Sequence, residues 1–541
     1  MASGMTSTVT QELVGYSGES IINYTNPNIE SWFGIHDFAK NGRLVFISDS
    51  AGHPRFRRTT LRGLVGWAPH WTFLCLSAVP ETPGNSGGAA GSAHEGHGSA
   101  AALSKDHLDL CLKLGLPLAI VLTKSDLVNK ESLKRVLSPI WAAVKGAGRA
   151  PRLIQSKEKF PEWARTVCDA DVSTIRSVLS SVRDSGDFRA TVPVILQSSV
   201  TGDGTGLMHA LLRELPLPPK PLAHDYLGMV INQEQPETLF HIEDRYNRPA
   251  SYATSGLTWQ ANVECVVSGY LRFGRLELGQ TVTVGPFPID EEVAEAAQLD
   301  DKTASPSRSS LPSSHASPRA PFSEVARSAL KNVIPATCVQ GEWRQVRIVS
   351  IRNLRMSVQS LEADQVGTLG LALAGSAYAA GEDSALRPLK PRRGMVVAVP
   401  NKYMTEHNLE LQAAAVITAY FSDTAIRLLS AGTPVTIYIA SVRAQARVAK
   451  IWSSPPVRPI AGVDDGKAGP AGHMDDDVFG LEPISDAANN SAEQGYCVRL
   501  ELLFSREWVE LGSKIVILEG ASREGTVLDG FVGTVVKVSE T

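Results

Sequence analysis

The stretch LVFISDSAGHPRFRRTTLRGL, from Leu44 to Leu64, decides how this chain is read. It runs from an apolar strand-like segment, Leu44 to Ser48, into an acidic residue, Asp49, then a glycine turn and a basic helix. An acid at the end of a buried strand, followed by such a turn, is what is needed to hold a cation beside a phosphate. Asp49 would reach Mg²⁺, usually through a water, and the Gly52 amide would approach a γ-phosphate because no Cβ intervenes. Strings of the form D-x-x-G are common, so on this segment alone an ordinary strand-to-turn Asp-Gly reads equally well.

Two further segments bear on the choice. Leu118 to Leu127, LAIVLTKSDL, sets Thr123-Lys124-Ser125-Asp126 directly after another apolar run. An aspartate there accepts both N1–H and N2–H of guanine, a pairing adenine does not offer, while the lysine stem covers the base face. Leu196-Gln-Ser-Ser-Val-Thr-Gly202 follows a third run, Val192 to Gln197, and the Ser198 and Ser199 backbone is suited to address the guanine O6. Three turn motifs, each ending its own strand, argue against a chance match.

Around these motifs the first 220 residues alternate short apolar runs with helical patterns. Leu44–Ser48, Phe73–Ser77, Leu118–Leu122 and Val192–Gln197 read as strands buried on both faces, and Leu133, Val136, Leu137, Ile140, Trp141 and Val144 as one face of a helix. That alternation predicts an α/β domain with a parallel sheet and ligands at the carboxyl ends of its strands. Leu215 to Pro221, LPLPPKP, is a stiff linker. Beyond it the texture changes to β-branched runs and glycine turns at Glu264–Gly269, Gln280–Gly285, Gln345–Ile351 and Thr433–Ile439, which predicts two antiparallel β-barrels. Three low-complexity stretches, Glu81–Ala102, Asp290–Pro321 and Ser453–Ser491, are too poor in bulky apolar residues to offset the entropy of ordering, and predict mobile insertions inside domains. The expected organisation is therefore residues 1–220 with insertion 81–102, residues 221–395 with insertion 290–321, and residues 396–541 with insertion 453–491.

Composition narrows the function classes. The chain has 541 residues, 43% hydrophobic and 20% charged, with 52 Lys+Arg against 56 Asp+Glu, for a formal charge of -4. No global field draws it to nucleic acid or an anionic membrane, so any RNA contact must come from a local patch. The six cysteines form no C-x-x-C pair, which argues against a zinc site and for a reducing compartment. Met1 to Leu13 has neither a basic start nor an apolar segment, so it is not read as a secretory signal. No G-x-G-x-x-G follows a strand, which removes support for a dinucleotide-binding oxidoreductase.

The order D-x-x-G-H, then [NT]-K-x-D, then a serine-rich loop resembles that of translational GTPases of the elongation factor Tu type. DSAGH at Asp49–His53, TKSD at Thr123–Asp126 and QSSVTG at Gln197–Gly202 are most similar to the GTP-binding protein 1 and 2 subfamily, and Met5 to Gly15 resembles its switch I. Gly274 to Pro286 looks like the turn of the family's second domain, Arg393–Val396 like its join to the third, and Ser441–Ala446 and Gly533–Val535 like third-domain strands. The resemblance implies a P-loop-NTPase-like domain followed by two barrels, with GTP/GDP and Mg²⁺ as ligands. It implies that Thr6 and Asp49 serve the metal, that His53 orients the attacking water, and that Gly52, Thr123, Lys124, Asp126, Ser198 and Ser199 hold the nucleotide. Its implied setting is cytoplasmic, with the ribosome or tRNA as partner and neither membrane nor DNA, in translation, ribosome-stall rescue or mRNA turnover. Arg55, Arg57, Arg58 and Arg62 then face rRNA phosphates, although a solvated basic helix face reads as well.

One part of the pattern is missing. No G-x-x-x-x-G-K-[ST] occurs; Gly466-Lys467 is the sole Gly-Lys pair and precedes Ala468. That loop would cradle the α- and β-phosphates, and its strand would be central in the sheet, so its removal leaves strand edges unpaired. The expectation is that the chain starts at switch I because an N-terminal segment is lost from the gene model. The alternative is a degenerate GTPase that keeps the three-domain shape as a ribosome- or tRNA-binding module without turnover.

Overall fold

The computed structural model describes residues 8–53, 56–79, 100–155, 160, 165–221, 235–246, 263–288, 341–373, 389–455, 495–519 and 530–540. The chain divides into two compact units, one built on the residues up to Pro219 and the other on most of the chain from Lys220 onward.

The first unit runs β1 (Thr10–Ser17), β2 (Ser20–Ile22), α1 (Trp32–Phe38), β3 (Arg43–Asp49), α2 (Arg57–Leu61), β4 (Thr72–Ser77), α3 (Ala100–Leu114), β5 (Leu118–Thr123), α4 (Lys130–Gly146), β6 (Ala150–Ile154), α5 (Asp169–Ser185), β7 (Thr191–Leu196) and α6 (Thr205–Glu214). β4, β5, β7 and β6 form a parallel sheet in that order. Leu118 to Leu122 and Val192 to Ile195 are fully inside it, which is why their sequences carry no alternation. The helical stripe predicted from Leu133 to Val144 falls on α4, capped by the Asn129 side chain accepting from the Ser132 amide. α5 presents Val172, Ile175, Leu179 and Val182 to the core and stops at Gly186, whose φ of 67° is the left-handed region that favours glycine.

β1, β2 and β3 make a second, antiparallel sheet of order β2-β1-β3, separate from the first. What ties it to the parallel sheet is α6 and the core. The Tyr16 hydroxyl lies 3.0 Å from His209 Nδ1, Arg43 donates to the Arg213 carbonyl at 2.6 Å, and Tyr16, Ile21 and Val45 join Phe73, Ala119, Ile195 and Leu207 in one apolar cluster. Burial raises the Tyr16 hydroxyl far above its ordinary value, so it stays a neutral hydrogen-bonding group.

The seam between the sheets corrects two expectations. Leu44–Ser48 and Phe73–Ser77 are not buried on both faces: β3 is only half-buried along its length and Cys75 of β4 is exposed. The physical reason is that β3 pairs only with β1 and β4 only with β5, so each has an edge without a strand partner among the described residues. Ser48 Oγ on β3 and Thr72 Oγ1 on β4 are buried without a hydrogen-bond partner among those residues.

The second unit holds the two barrels. β8 (Thr238–Tyr246), β9 (Cys265–Phe273), β10 (Arg275–Glu277), β11 (Thr281–Pro288), β12 (Gly341–Asn353), β13 (Met356–Ser357), β14 (Ser360–Glu362), β15 (Val366–Leu373) and β16 (Val396–Val399) build the first. Its ring β11-β16-β8-β9-β15-β12 is closed by the β11–β12 pairing, and β10 pairs with β14 beside it. After the short helix α7 (Lys402–Glu406), β17 (Val416–Phe421), β18 (Pro434–Ile439), β19 (Val442–Ser454), β20 (Gly495–Leu502), β21 (Lys514–Glu519) and β22 (Phe531–Ser539) close the second in the order β17-β20-β19-β18-β21-β22. All four predicted β-runs fall on strands of these barrels, at β9, β11, β12 and β18. The two pack on a shared cluster that includes Leu239, Phe273, Met404 and Trp508, and Arg392 pairs with the buried Glu507 at 2.8 Å.

The predicted architecture is therefore present: an α/β domain with a parallel sheet, followed by two antiparallel barrels. The predicted insertions lie outside the described residues, except that Ala100 to Ala102 open α3, Ser453 and Ser454 end β19, and Pro455 follows them.

Candidate nucleotide-binding site

β5 and β7 are neighbours in the parallel sheet, and their carboxyl ends set the Thr123–Asp126 and Gln197–Gly202 loops side by side. The loops are tied by the Gln197 amide donating to the Leu122 carbonyl at 2.9 Å and the Ser125 amide to the Gln197 carbonyl at 3.2 Å. Lys124 has a φ of 58°, an unusual left-handed backbone for a lysine, which turns the chain sharply so that Ser125–Leu127 forms a short 3-10 turn. Thr123 uses its hydroxyl on the Leu76 carbonyl at 3.2 Å, bridging β5 to β4, so its side chain serves the sheet. Lys124 and Asp126 are exposed.

In the second loop Ser198 is fully buried. Its amide donates to the Asp203 carbonyl at 2.9 Å, and its hydroxyl accepts from the Val200 and Thr201 amides at 3.3 and 3.2 Å. Ser198 therefore shapes the loop, and Ser199, which is exposed, is the serine at its surface. The turn into α6 requires Gly204, with a φ of 76°, because a Cβ there would lie 2.0 Å from the Leu196 carbonyl oxygen.

Asp49 ends β3 and is exposed; Ala51 beneath it is buried, and its carbonyl accepts from the Thr60 hydroxyl of α2. Gly52 is exposed, with open space where a Cβ would stand. His53 is half-buried, its ring 6.2 Å from that of Phe56. The basic helix is short: α2 spans five residues and continues as a π-turn over Arg62–Gly66, where Gly63 allows close contact with Ser50. The Cys75 thiol is raised chiefly by desolvation among its neighbours and additionally by Asp49, so the Asp49 carboxylate acts across the seam onto β4. Thr6 and Arg55 lie outside the described residues. The structure thus joins Thr123, Lys124, Asp126, Ser198 and Ser199 in one loop pair, and sets Asp49, Gly52 and His53 along the strand end and turn across the seam.

Sequence reasoning missed the structural use of Thr123 and Ser198, and also Gly204, whose glycine-rich setting Gly202-Asp-Gly204 was the available signal.

A parallel-sheet domain with these turn motifs, followed by two antiparallel barrels, is the domain order that the resemblance to translation factors of the elongation factor Tu type implied. No family model matches the chain. It is similar to GTP-binding protein 2 of Mus musculus and of Homo sapiens, each 23% identical over 460 residues, covering 84% of this chain and 55% of the relative. GTP-binding protein 1 of Xenopus laevis is 25% identical over 290 residues, covering 53% of this chain and 35% of the relative. The chain thus spans from about a third to just over half the length of these relatives. Among solved structures, translation elongation factor SelB from Methanococcus maripaludis in complex with the GTP analogue GPPNHP aligns at a TM-score of 0.47 and 12% identity, covering 92% of this chain and 71% of that one.

Proposed function

We propose that this chain carries the guanine-recognition, switch and barrel portions of a translation-factor-like GTPase that acts with the ribosome or tRNA. The observation that carries this reading is the stitched pair of loops at the ends of β5 and β7, with Asp126 exposed beside the Ser199 loop. In this reading Asp126 accepts N1–H and N2–H of guanine, the Lys124 stem covers the ring, and the Ser199 amide, rather than that of Ser198, faces O6. The Thr123 hydroxyl holds the loop against β4 in place of a direct nucleotide contact.

Asp49 fits a role at Mg²⁺ through its exposure at a strand end beside the open space at Gly52. It is a single carboxylate, so a cation there takes its other ligands from phosphate, water and a hydroxyl such as that of Thr6. When bound, Mg²⁺ neutralises charge on the β- and γ-phosphates. His53 orients the attacking water. Among the described residues β3 and β4 each have an edge without a strand partner, and the Ser48 and Thr72 hydroxyls have no hydrogen-bond partner, which is compatible with one further strand between them.

The test compares fluorescent-GTP binding and ribosome-stimulated phosphate release by the chain as it stands and by one extended upstream with a strand and G-x-x-x-x-G-K-[ST] loop. The extended chain is expected to bind GTP with Mg²⁺, and His53→Ala to lower its turnover by about 10²-fold or more with binding changed little. Absence of Mg²⁺-dependent binding by the extended chain overturns the GTPase reading. Ribosome binding without nucleotide by both chains would favour a binding module in its place.

A further inference from the structure

The outer face of the third domain's barrel carries a pattern that the nucleotide site does not use. Cross-strand register fixes which side chains stand together there. Lys450 of β19 is opposite Arg499 of β20, Arg499 is opposite Thr418 of β17, and Thr418 is opposite Lys537 of β22. Partners in an antiparallel ladder share a face and neighbouring strands are about 4.8 Å apart, so Lys450, Arg499 and Lys537 form one straight basic row. All three are exposed. Like charges directly opposite one another are unfavourable. Lys450 against Arg499 is such a pair, and an anion lying along the row would relieve it.

The next row, two residues along the strands and about 7 Å away, is Trp452–Cys497–Tyr420–Thr534, continued to Lys514 by the β21–β22 pairing. Trp452 is 37% exposed, and Lys450 Nζ lies 5.8 Å from its ring centroid. Gly495 stands where a Cβ would meet the Tyr420 hydroxyl oxygen at 2.2 Å and the ring at 2.4 Å, so the missing side chain lets Tyr420 pack close over β20. The two rows together hold four cations and two aromatic rings, and the row on their other side, Arg447–Glu501–Val416–Ser539, sets one carboxylate, Glu501, opposite Arg447. Everything beneath them is ordinary barrel core, with Ala419, Val498, Leu500 and Val448 pointing inward.

We propose that this face binds single-stranded RNA, with Lys450, Arg499 and Lys537 along the phosphates and Trp452 and Tyr420 stacking on bases. A basic track flanked by one exposed ring, Trp452, and one half-buried ring, Tyr420, is a combination that suits a single strand, whose phosphates and base faces are presented side by side. An acidic peptide would satisfy the cations and leave the rings without a stacking partner. The inference stands apart from the nucleotide site and survives if that reading fails.

The test is fluorescence anisotropy of a labelled oligouridylate with the full chain across a salt series. The chain is expected to bind at about 50 mM salt, with log affinity falling linearly in log salt. Lys450→Glu with Arg499→Glu should make that slope shallower by about 1.4 and lower affinity at least about tenfold. Lys402→Glu, an exposed charge change outside both rows, should leave the slope unchanged. Trp452→Ala should weaken binding about tenfold while keeping the slope. Thermal melts check that the variants are folded, as expected for exposed positions. No binding at low salt, an unchanged slope in the Lys450/Arg499 variant, or equal competition by polyglutamate of matched charge overturns the proposal.

Discussion

Lys124 and Asp126 owe their position to backbone geometry that is invisible in their own side chains. A left-handed Lys124 and the amide of Ser125 on Gln197 fix the turn, and the two side chains are left exposed. The place of TKSD as a turn at the end of a buried strand was legible from the apolar run before it. The internal use of Thr123 and Ser198 was not, because it depends on carbonyls brought close only by strand pairing. A third residue escaped sequence reading altogether. His241 of β8 is fully buried, its ring stacked on Tyr270 and its Nδ1 3.2 Å from the Ser441 hydroxyl. Desolvation, helped by Arg272, lowers it from 6.5 to about 3. The unfolded chain therefore takes up a proton below about pH 6.5 that the folded chain refuses, and stability is lost as the pH falls through that value toward 3. Urea unfolding followed from pH 8 to pH 5 should show a loss of about 2 kcal/mol from this group, and His241→Gln should flatten that part of the profile.

At the scale of elements, the seam between β3 and β4 is the informative feature. The apolar runs at Leu44–Ser48 and Phe73–Ser77 read as strands buried on both faces because sequence patterns record the environment a strand is suited to. Among the described residues each of them has one edge without a strand partner, and the exposure of Cys75 follows. Cys111, Cys265 and Cys497 are buried. Peptide mapping after brief alkylation should therefore find Cys75 modified well ahead of those three, with a rate that rises with pH because its thiol is shifted up. A chain extended by a strand that enters the seam should protect Cys75 by about tenfold or more; equal labelling would mean that the seam stays open. The alternation of helix and strand, the barrel strands and the stripe on α4 were all legible, because periodicity is a local property. The break into two sheets was not legible: the sequence reading placed Leu44–Ser48 in the parallel sheet, whereas β3 pairs antiparallel with β1 in a sheet of its own.

At the scale of the whole molecule, the two barrels belong to one unit, bound by apolar packing and by ion pairs that draw on residues far apart in sequence. Glu507, 1% exposed, accepts from Arg392 and from the Ser505 hydroxyl. Glu507→Ala removes the partner of a half-buried guanidinium, and equilibrium unfolding should show a loss of about 3–5 kcal/mol. No such pairing was readable from the sequence, since Arg392 and Glu507 are brought together only by the barrels' closure.

The central claim is that the paired loops at Lys124–Leu127 and Ser198–Gly202 recognise guanine, and amide hydrogen exchange on the chain as it stands tests it most directly. Millimolar GTP should slow exchange in those two loops, ATP should not, and Asp126→Ala should abolish the effect. Exchange that is unchanged by GTP, or slowed equally by ATP, would contradict the account.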